Sequence, residues 1–223
     1  SNMYIEIGIL FFVLYTFSLL FFLIGIFKIP HQKIQLNQSN HSVSIILCVR
    51  NGQTSLPNIL NDLHEQSYLG DIEFIIVDDE SSDNTKKIIK QFALKDNRFL
   101  YFSTKDSTSK LKYKKRALDL GIKNAKYDWL LFTDVDCRLN KNWVLSMSNN
   151  FDNSDYVIGL SEVYDDGSLC SKFQSIDFRM LMISACSSTI MNYPLASSGQ
   201  NQSYKKNVFK NVDGYSRIID LLQ

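Results

Sequence analysis

The chain has few cysteines, and they form no recognisable cluster. Cys48, Cys137, Cys170 and Cys186 are widely separated, show no C-x-x-C spacing and have no group of histidines beside them. This distribution argues against a zinc site and against a dense disulfide framework. We therefore expect reduced thiols in a cytosolic domain.

The chain also lacks an excess of charge of either sign. Its 24 Lys and Arg residues oppose 23 Asp and Glu residues, which gives a formal net charge of +1. No overall field draws such a protein to nucleic acid or repels it from acidic substrates, so we expect no nucleic-acid partner. Charge chemistry must therefore be local.

One long hydrophobic run interrupts an otherwise mixed sequence. Residues 4–27 are apolar except for Glu6 and a few small or hydroxyl residues, which corresponds to about 36 Å of helix against a hydrocarbon core of about 30 Å. The run has neither the basic leading segment nor the small-residue cleavage site of a signal peptide. Because buried helices of soluble proteins rarely lack a polar face over this length, the run predicts a transmembrane helix.

The flanks of this run predict its orientation. Lys28, His31 and Lys33 follow it and no Lys or Arg precedes it, so the positive-inside rule predicts a cytoplasmic C-terminal part. Residues 28–42 are rich in Asn, Gln and Ser and are predicted to be a polar linker. The remaining residues, 43–223, number about 180 and are expected to form one catalytic domain.

Short apolar runs then alternate with segments of helical periodicity. The runs predicted as strands are residues 43–49, 72–77, 99–102, 129–132 and 156–160. Alternation of buried strands with amphipathic helices predicts an α/β domain whose mostly parallel sheet is covered by helices on both faces. Ligands of such sheets bind at the carboxyl ends of the strands.

A further helical stripe follows the fifth predicted strand. Leu169, Phe173, Ile176, Met180 and Ile183 repeat at spacings of four and three, which predicts a helix. We interpret the stripe as core packing rather than as a cofactor site.

Polar clusters directly follow three of the predicted strands, at Arg50-Asn51-Gly52, Asp78-Asp79-Glu80 and Asp134-Val135-Asp136. Residues two apart at a strand end point to the same side, so Asp134 and Asp136 are expected to face one crevice. Paired carboxylates are costly unless neutralised, and Mg²⁺ or Mn²⁺ neutralises them while leaving coordination sites for phosphate oxygens. A lone D-x-D tripeptide is usually a solvated turn, but its place at a strand end favours metal binding.

Five segments occur in a specific order and spacing. They are V-S-I-I-L-C-V-R-N-G from residue 43, I-E-F-I-I-V-D-D-E-S-S-D-N-T from 72, K-K-R-A-L-D-L-G-I from 114, W-L-L-F-T-D-V-D-C from 129 and G-Q-N-Q-S-Y-K-K from 199. This series resembles the family 2 glycosyltransferases of GT-A fold, over residue 43 to about residue 215. The resemblance implies a GT-A domain of the membrane-anchored bacterial type.

The resemblance assigns the nucleotide base to the first two strand ends. It places Arg50, Asn51 and Asp79 in nucleotide-sugar binding, with Asn51 and Asp79 at the base. A turn or capping role for Asp79 stays open, because the segment after the second predicted strand offers several capping oxygens to the following helix, those of Ser81, Ser82, Asp83 and Thr85. We favour nucleotide contact for Asp79 and helix capping for the Ser and Thr residues.

The resemblance assigns the diphosphate to a basic run. Lys114 is the best match to the family's lysine, with Lys115 and Arg116 next, although the family usually has glycine where this chain has Tyr113. Cationic runs are more often solvated surfaces or membrane-facing patches. The departure at Tyr113 leaves the geometry of this loop open.

The resemblance also implies the metal and part of the acceptor side. Mn²⁺ or Mg²⁺ would be held by Asp136 and Asp134, and Asp134 would also take part in nucleotide-sugar binding. Gly199 and Asn201 would line the sugar and acceptor side of the cleft. An inverting member needs a carboxylate base from an acidic pair after the G-Y segment, but none follows Tyr215, and Asp220 is the nearest candidate. The Q-x-x-R-W motif and C-terminal membrane helices are also missing, so we expect a C-terminally truncated domain.

Together these features predict transfer of a sugar from a nucleotide-diphosphate donor, with a UDP-sugar favoured, to a hydroxyl of a sugar or lipid-linked acceptor. The expected setting is polysaccharide or glycolipid synthesis at a bacterial inner membrane. The V-D-D-E string also resembles a receiver domain, which is disfavoured because a β-α unit and a hydrophobic run precede it. A catalytically inactive GT-A domain that serves as a scaffold or nucleotide-binding module stays open.

Overall fold

The computed structural model describes residues 2–29 and 41–215. These residues form two compact units, one with residues 2–29 and 160–198 and one with residues 41–159 and 199–215. Asp220 and residues 30–40 of the predicted linker lie outside the described residues.

Helices and strands alternate along most of the chain. In chain order they are α1 (Asn2–Lys28), β1 (Val43–Val49), α2 (Leu56–His64), β2 (Ile72–Asp78), α3 (Thr85–Lys95), β3 (Phe99–Ser103), a 3₁₀ turn (Thr104–Asp106), α4 (Tyr113–Asn124), β4 (Trp129–Asp134), α5 (Trp143–Ser148), β5 (Tyr156–Ile158), α6 (Leu169–Ile190), β6 (Gln202–Lys205) and α7 (Lys206–Asn211).

The second unit is built on one sheet of order β3-β2-β1-β4-β6-β5. Strands β3, β2, β1 and β4 are parallel, whereas β6 is antiparallel to both β4 and β5. The predicted mostly parallel sheet is confirmed. The carboxyl ends of β1, β2 and β4 consequently lie side by side.

Both faces of β1 are buried, because helices cover the sheet on each side. Ile45 and Leu47 pack in a core with the apolar faces of α2 and α3. Ile46 packs on the opposite face with α4, where a Cβ at Gly121 would lie only 2.7 Å from Ile46 Cγ2. The glycine therefore lets α4 approach the sheet closely, and burying each such Ile or Leu side chain contributes about 1.5–3 kcal/mol.

The first unit contains α1 and α6. Helix α1 confirms the predicted helix and is long and apolar enough to cross a membrane. Helix α6 begins after Ser168, whose hydroxyl accepts a hydrogen bond from the Ser171 amide at 3.0 Å. Our interpretation of the stripe on α6 as core packing was wrong, because Leu169, Phe173 and Met180 are exposed.

Candidate active site

A cavity of about 370 Å³ opens at the carboxyl ends of β1, β2 and β4. It is lined by Cys48, Val49, Arg50, Asp79, Tyr113, Lys114, Ala117, Asp134, Val135 and Asp136. A depression of about 440 Å³ lies along the surface of α3 and is lined mainly by Lys86, Lys87, Lys90, Gln91 and Leu94. The strand-end cavity is the stronger candidate, because it combines paired carboxylates, cations and the edge where α/β sheets bind ligands.

The acidic turn forms one wall of this cavity. Asp134 is the last residue of β4, and the Cys137 amide closes the turn by donating to the Asp134 carbonyl oxygen at 3.2 Å. Val135 packs against the core, close enough to Gly52 that a Cβ there would lie 3.1 Å from Val135 Cγ2. Gly52 therefore lets the loops after β1 and β4 meet.

The carboxylates of this turn fit a hard divalent cation only in part. Within residues 2–29 and 41–215, no group of three or more His, Cys, Asp and Glu side chains is arranged to hold a metal ion. Asp134 and Asp136 both line the cavity and offer the oxygen ligands that Mg²⁺ and Mn²⁺ prefer. Such a pair suits a metal that takes its other ligands from phosphate and water.

Lys114 neutralises one of the two carboxylates of the acidic turn, that of Asp134. Its ammonium group donates to Asp134 Oδ1 at 2.5 Å, although its side chain remains 54% exposed. Lys114 lies in the first turn of α4, where the unpaired amides and the helix dipole favour anions. The side chain and the helix end thus supply positive charge to the same cavity.

The backbone at Tyr113 answers the question that the sequence left open about the geometry of the loop before Lys114. Its φ of +53° lies in the left-handed region, which glycine adopts without steric cost and a residue with a Cβ does not. The chain therefore keeps the backbone turn of a glycine while placing a ring in the cavity wall.

Asp79 lies in the cavity wall and is held on one side only. Its Oδ1 accepts hydrogen bonds from the Thr104 hydroxyl at 2.8 Å and from Arg116 at 2.9 Å, and Arg116 also pairs with Glu80 at 2.9 Å. Among the described residues none donates to Asp79 Oδ2. The sequence made Arg116 an alternative to Lys114 as the diphosphate ligand. In the structure its guanidinium binds Asp79 and Glu80 and so positions Asp79.

Asn51 is turned away from the predicted nucleotide contact. Its side-chain oxygen accepts from the Ser82 backbone amide at 2.8 Å, and its backbone amide donates to the Ser81 hydroxyl at 2.9 Å. It is not among the residues that line the cavity, whereas Arg50 is. Asn51 therefore contributes to the loop that carries Arg50.

The side chains that follow β2, which we interpreted as helix caps, mostly accept hydrogen bonds from the loop after β1. The Gly52 amide donates to the Thr85 hydroxyl and the Gln53 amide to Asp83, while the Asn84 N-cap of α3 makes no side-chain capping bond. Asp83 alone also accepts from the Thr85 amide at 3.0 Å. Side chains after β2 thus fix successive amides after β1.

The predicted acceptor-side residues lie outside the lining of the cavity. Asn201 is buried, and its side-chain oxygen accepts from the Trp143 indole at 2.9 Å. Gly199 is exposed, with open space around the position of a Cβ. Between them, Gln200 approaches the acidic turn through a 3.8 Å contact with the Cys137 thiol.

Two residues of α2 and its C-terminal extension, missed from the sequence, tether the loop after the acidic turn. Asp62 accepts from the Arg138 guanidinium at 2.7 and 2.9 Å and from the Leu139 amide at 2.9 Å. Gln66 donates to the Asn140 carbonyl oxygen at 3.0 Å and accepts from the Val144 amide at 3.1 Å. In the sequence, the only sign of this role is that Asp62 is the one acidic residue within α2.

The thiols near the cavity are in their neutral form. Burial raises the pKa of Cys48 above its usual range, and the nearby Lys114 only partly opposes this effect. Burial also raises the pKa of the Cys137 thiol. Because the thiolate is the nucleophilic form, neither cysteine is poised as a nucleophile.

The order of the strand-end segments along the chain agrees with a match to a known protein family. A model of glycosyl transferase family 2 matches residues 44–212. The chain belongs to this family. The family predicted from the sequence is therefore confirmed.

Two curated glycosyltransferases of staphylococci are similar in sequence to this family 2 chain. It is 28% identical over 145 residues to the poly-beta-1,6-N-acetyl-D-glucosamine synthase of Staphylococcus aureus; this match covers 62% of the chain and 32% of the relative. It is 30% identical over 119 residues to the 4,4'-diaponeurosporenoate glycosyltransferase of Staphylococcus haemolyticus, which covers 53% and 30%. The chain spans about a third of the length of these relatives.

Solved structures show the GT-A fold of this family 2 domain. The mannosyltransferase PcManGT of Pyrobaculum calidifontis, in complex with GDP-Man and Mn²⁺, is 15% identical with a TM-score of 0.67 and covers 90% of this chain and 55% of that one. Residues 1–349 of TarS from S. aureus, in complex with UDP-GlcNAc, are 20% identical with a TM-score of 0.52 and cover 77% and 47%. The predicted fold is confirmed.

Proposed function

We propose that this protein transfers a sugar, with inversion, from a nucleotide-diphosphate donor to an acceptor hydroxyl. The observation that carries the proposal is the single cavity in which Asp79, Lys114, Asp134 and Asp136 meet. In this proposal Asp79 serves the base, Lys114 the diphosphate, and Asp134 and Asp136 a metal ion, which together match the parts of a nucleotide sugar.

The donor binds with its base toward the ends of β1 and β2. Asp79 Oδ2 accepts a hydrogen bond from the base, while Thr104 and Arg116 fix the carboxylate through Oδ1. Arg50 completes this side of the cavity, and Asn51 supports it through the loop after β1. A UDP-sugar is the donor that we favour; the TarS structure contains UDP-GlcNAc, whereas the PcManGT structure contains GDP-Man.

Asp136 and Asp134 would hold Mn²⁺ or Mg²⁺ at the site of the donor's diphosphate. The Mn²⁺ in the PcManGT complex supports this metal class. When bound, the cation supplies Lewis-acid stabilisation of the nucleoside diphosphate leaving group. Asp136 is exposed and would bind the cation without losing a hydrogen bond to a described residue, whereas Asp134 would share its carboxylate with Lys114.

Lys114 stabilises the leaving group from the protein side. As the bond between the anomeric carbon and the diphosphate breaks, negative charge grows on the departing oxygen. Lys114 lines the cavity from the first turn of α4, so its ammonium group and the positive end of the helix dipole stabilise this charge.

The acceptor approaches opposite the leaving group. Gly199 and Asn201 border this side through the segment whose Gln200 touches Cys137. Asp220 is the proposed base that takes the proton of the acceptor hydroxyl. The acceptor is a sugar or a lipid-linked sugar in cell-surface polysaccharide or glycolipid synthesis, in keeping with the names of the staphylococcal relatives.

The protein works at a membrane. Helix α1 spans the bilayer, residues 28–42 form the linker and residues 43–223 form the catalytic domain on the cytoplasmic side of a bacterial inner membrane. The length and apolar character of α1 support the span, and Lys28 at its C-terminal end supports the orientation.

Isothermal titration with UDP tests the donor site. The full chain is titrated with and without Mn²⁺, beside Asp136→Ala and the matched control Asp106→Ala, an acidic residue outside the cavity lining. We expect metal-dependent binding that Asp136→Ala weakens at least tenfold, because one of two protein ligands is removed, and that the control retains. Absence of binding to UDP and other nucleoside diphosphates would sink the proposal.

A turnover assay separates an enzyme from a catalytically inactive binding module. The chain is supplied with UDP-sugars and with membranes as acceptor, and release of UDP is measured. Sugar transfer supports the enzyme, whereas tight nucleotide binding without turnover favours the module.

A further inference from the structure

Tyr113 lines the strand-end cavity beside the residues proposed to bind the donor. It is 74% exposed, and it is the one aromatic residue among those that line this cavity. An aromatic side chain offers a ligand a large, flat, apolar surface that few other residues can match. The ring of Tyr113 is therefore accessible to a molecule that enters the cavity.

The first turn of α4 reaches both sides of the cavity. Lys114 donates to Asp134 on the side of the acidic turn at 2.5 Å, and Arg116 donates to Asp79 on the other side at 2.9 Å. Tyr113 begins this turn and lines the cavity together with Lys114. The ring therefore belongs to the helical turn that connects the carboxylate proposed for the base with the acidic turn proposed for the metal.

The segment that carries Tyr113 is fixed at both ends to one oxygen atom. Asp79 Oδ1 accepts from the Thr104 hydroxyl at 2.8 Å, before this segment, and from Arg116 at 2.9 Å, just after it. The position of Tyr113 is thus tied to the carboxylate that the base is proposed to contact. A ring that is held in place before binding loses little freedom when a ligand covers it.

The chemistry of the donor determines which of its parts suits this ring. A base that donates a hydrogen bond to Asp79 is bound by its edge, and this leaves its flat faces open. Aromatic side chains stack on such faces, whichever base is present. The diphosphate carries charge and has no flat face, so it suits Lys114 and a metal ion instead. Tyr113 is therefore matched to the nucleoside part of the donor.

We propose that the ring of Tyr113 packs on the nucleoside of the donor, between the edge contact at Asp79 and the diphosphate contact at Lys114. The inference rests on the proposed function, because it takes the strand-end cavity as the donor site. The backbone at residue 113 has a left-handed φ of +53°, which glycine adopts without steric cost. A tyrosine keeps this turn and adds a contact that glycine cannot make.

Isothermal titration of the full chain with two probes tests this contact. UDP carries a nucleoside and a diphosphate, whereas inorganic pyrophosphate carries the diphosphate alone, and both are titrated in the presence of Mn²⁺. Tyr113→Ala should weaken UDP binding about tenfold, as expected for a lost stacking contact, and should leave pyrophosphate binding within about twofold of wild type. Tyr113→Phe restores the ring and should recover UDP binding. Tyr164→Ala is the matched control, since Tyr164 is an exposed tyrosine outside the cavity lining.

Equal weakening of UDP and pyrophosphate binding in Tyr113→Ala would overturn the proposal, because residue 113 would then act through the position of Lys114. Unchanged UDP binding in Tyr113→Ala would also overturn it. A loss in Tyr113→Phe as large as that in Tyr113→Ala would do the same, because it would assign the contact to the hydroxyl group. These three outcomes, with intact binding of UDP by the wild type, count against this inference alone. A wild type that binds no nucleoside diphosphate would overturn the proposed function and this inference with it.

Discussion

Tyr113 holds a backbone conformation that favours glycine, in the wall of the cavity at the strand ends. Its left-handed φ of +53° costs a residue with a Cβ about 1–2 kcal/mol. Strain of this kind persists where the surrounding structure fixes it and often accompanies function. Here it orients the first turn of α4, which carries Lys114.

We expect Tyr113→Gly to stabilise the fold by up to about 1 kcal/mol, because release of the strain exceeds the extra entropy of glycine in the unfolded chain. Tyr113→Ala is the control, since it removes the same exposed ring but keeps a Cβ. Denaturant unfolding of both variants measures the difference. Equal stability of the two variants would show that the backbone at residue 113 carries no strain.

Lys114 is expected to act in opposite directions on the two ligands of the site. Lys114→Gln should weaken UDP binding about tenfold, as expected for loss of one charged hydrogen bond. The same change should strengthen binding of Mn²⁺ alone, because Asp134 loses the cation that lies 2.5 Å away. Titrations of each ligand, with Lys115→Gln as control, measure both effects, and weaker binding of Mn²⁺ in the variant would contradict this role.

At the scale of elements, α2 holds the loop that follows the acidic turn. Burial alone would raise the pKa of Asp62, but hydrogen bonds from Arg138 and the Leu139 amide outweigh it and lower the pKa below its usual range. A carboxyl group whose pKa is lower in the folded state stabilises the fold above its unfolded pKa of about 3.9. That stabilisation is lost as the pH falls through the lowered folded value.

Asp62→Asn should therefore destabilise the protein at pH 7 by about 1 kcal/mol, a modest value because the Arg138 side chain is 69% exposed. The difference from wild type should shrink as the pH falls below about 4. Glu65→Gln, an exposed acidic residue at the end of α2, is the control. A difference between wild type and Asp62→Asn that stays constant down to pH 2 would contradict the assignment.

Elements with strong local patterns were predictable. Strand β1 has its predicted bounds, and β2, β3 and β4 each extend one or two residues beyond theirs, because continuous apolar runs are typical of strands buried on both faces. Strand β5 ends at Ile158, two residues early. Periodicity predicted helix α6 but not the exposure of its stripe, since a spacing of four and three is the same on a buried and on an exposed helix face.

The site was predictable where it follows from strand ends and not where it depends on rotamers. The topology alone brings Arg50, Asp79 and Asp134 to one edge. That Asn51 turns to Ser82, and that Asn201 accepts from Trp143, depends on hydrogen bonds between residues 31 and 58 positions apart. No local pattern records such partners.

At the scale of the whole molecule, the proposed topology can be tested with reporter fusions. A green fluorescent protein joined after Gln223 should fluoresce in a bacterial host, and alkaline phosphatase at the same place should be inactive, because the C-terminal part is expected in the cytoplasm. Each fusion controls for the expression of the other. The reverse pattern of activities would contradict the orientation.

The contact between Gly159 and Asn201 has a consequence for how such a chain changes over time. The Gly159 amide donates to the Asn201 carbonyl oxygen at 2.9 Å, directly beside the paired strands β5 and β6. The segment between them thus leaves and re-enters the sheet at adjacent points, as the loop of a hairpin does. A change in the length of this segment can therefore leave the register of β5 and β6, and the cavity at the ends of β1, β2 and β4, unchanged.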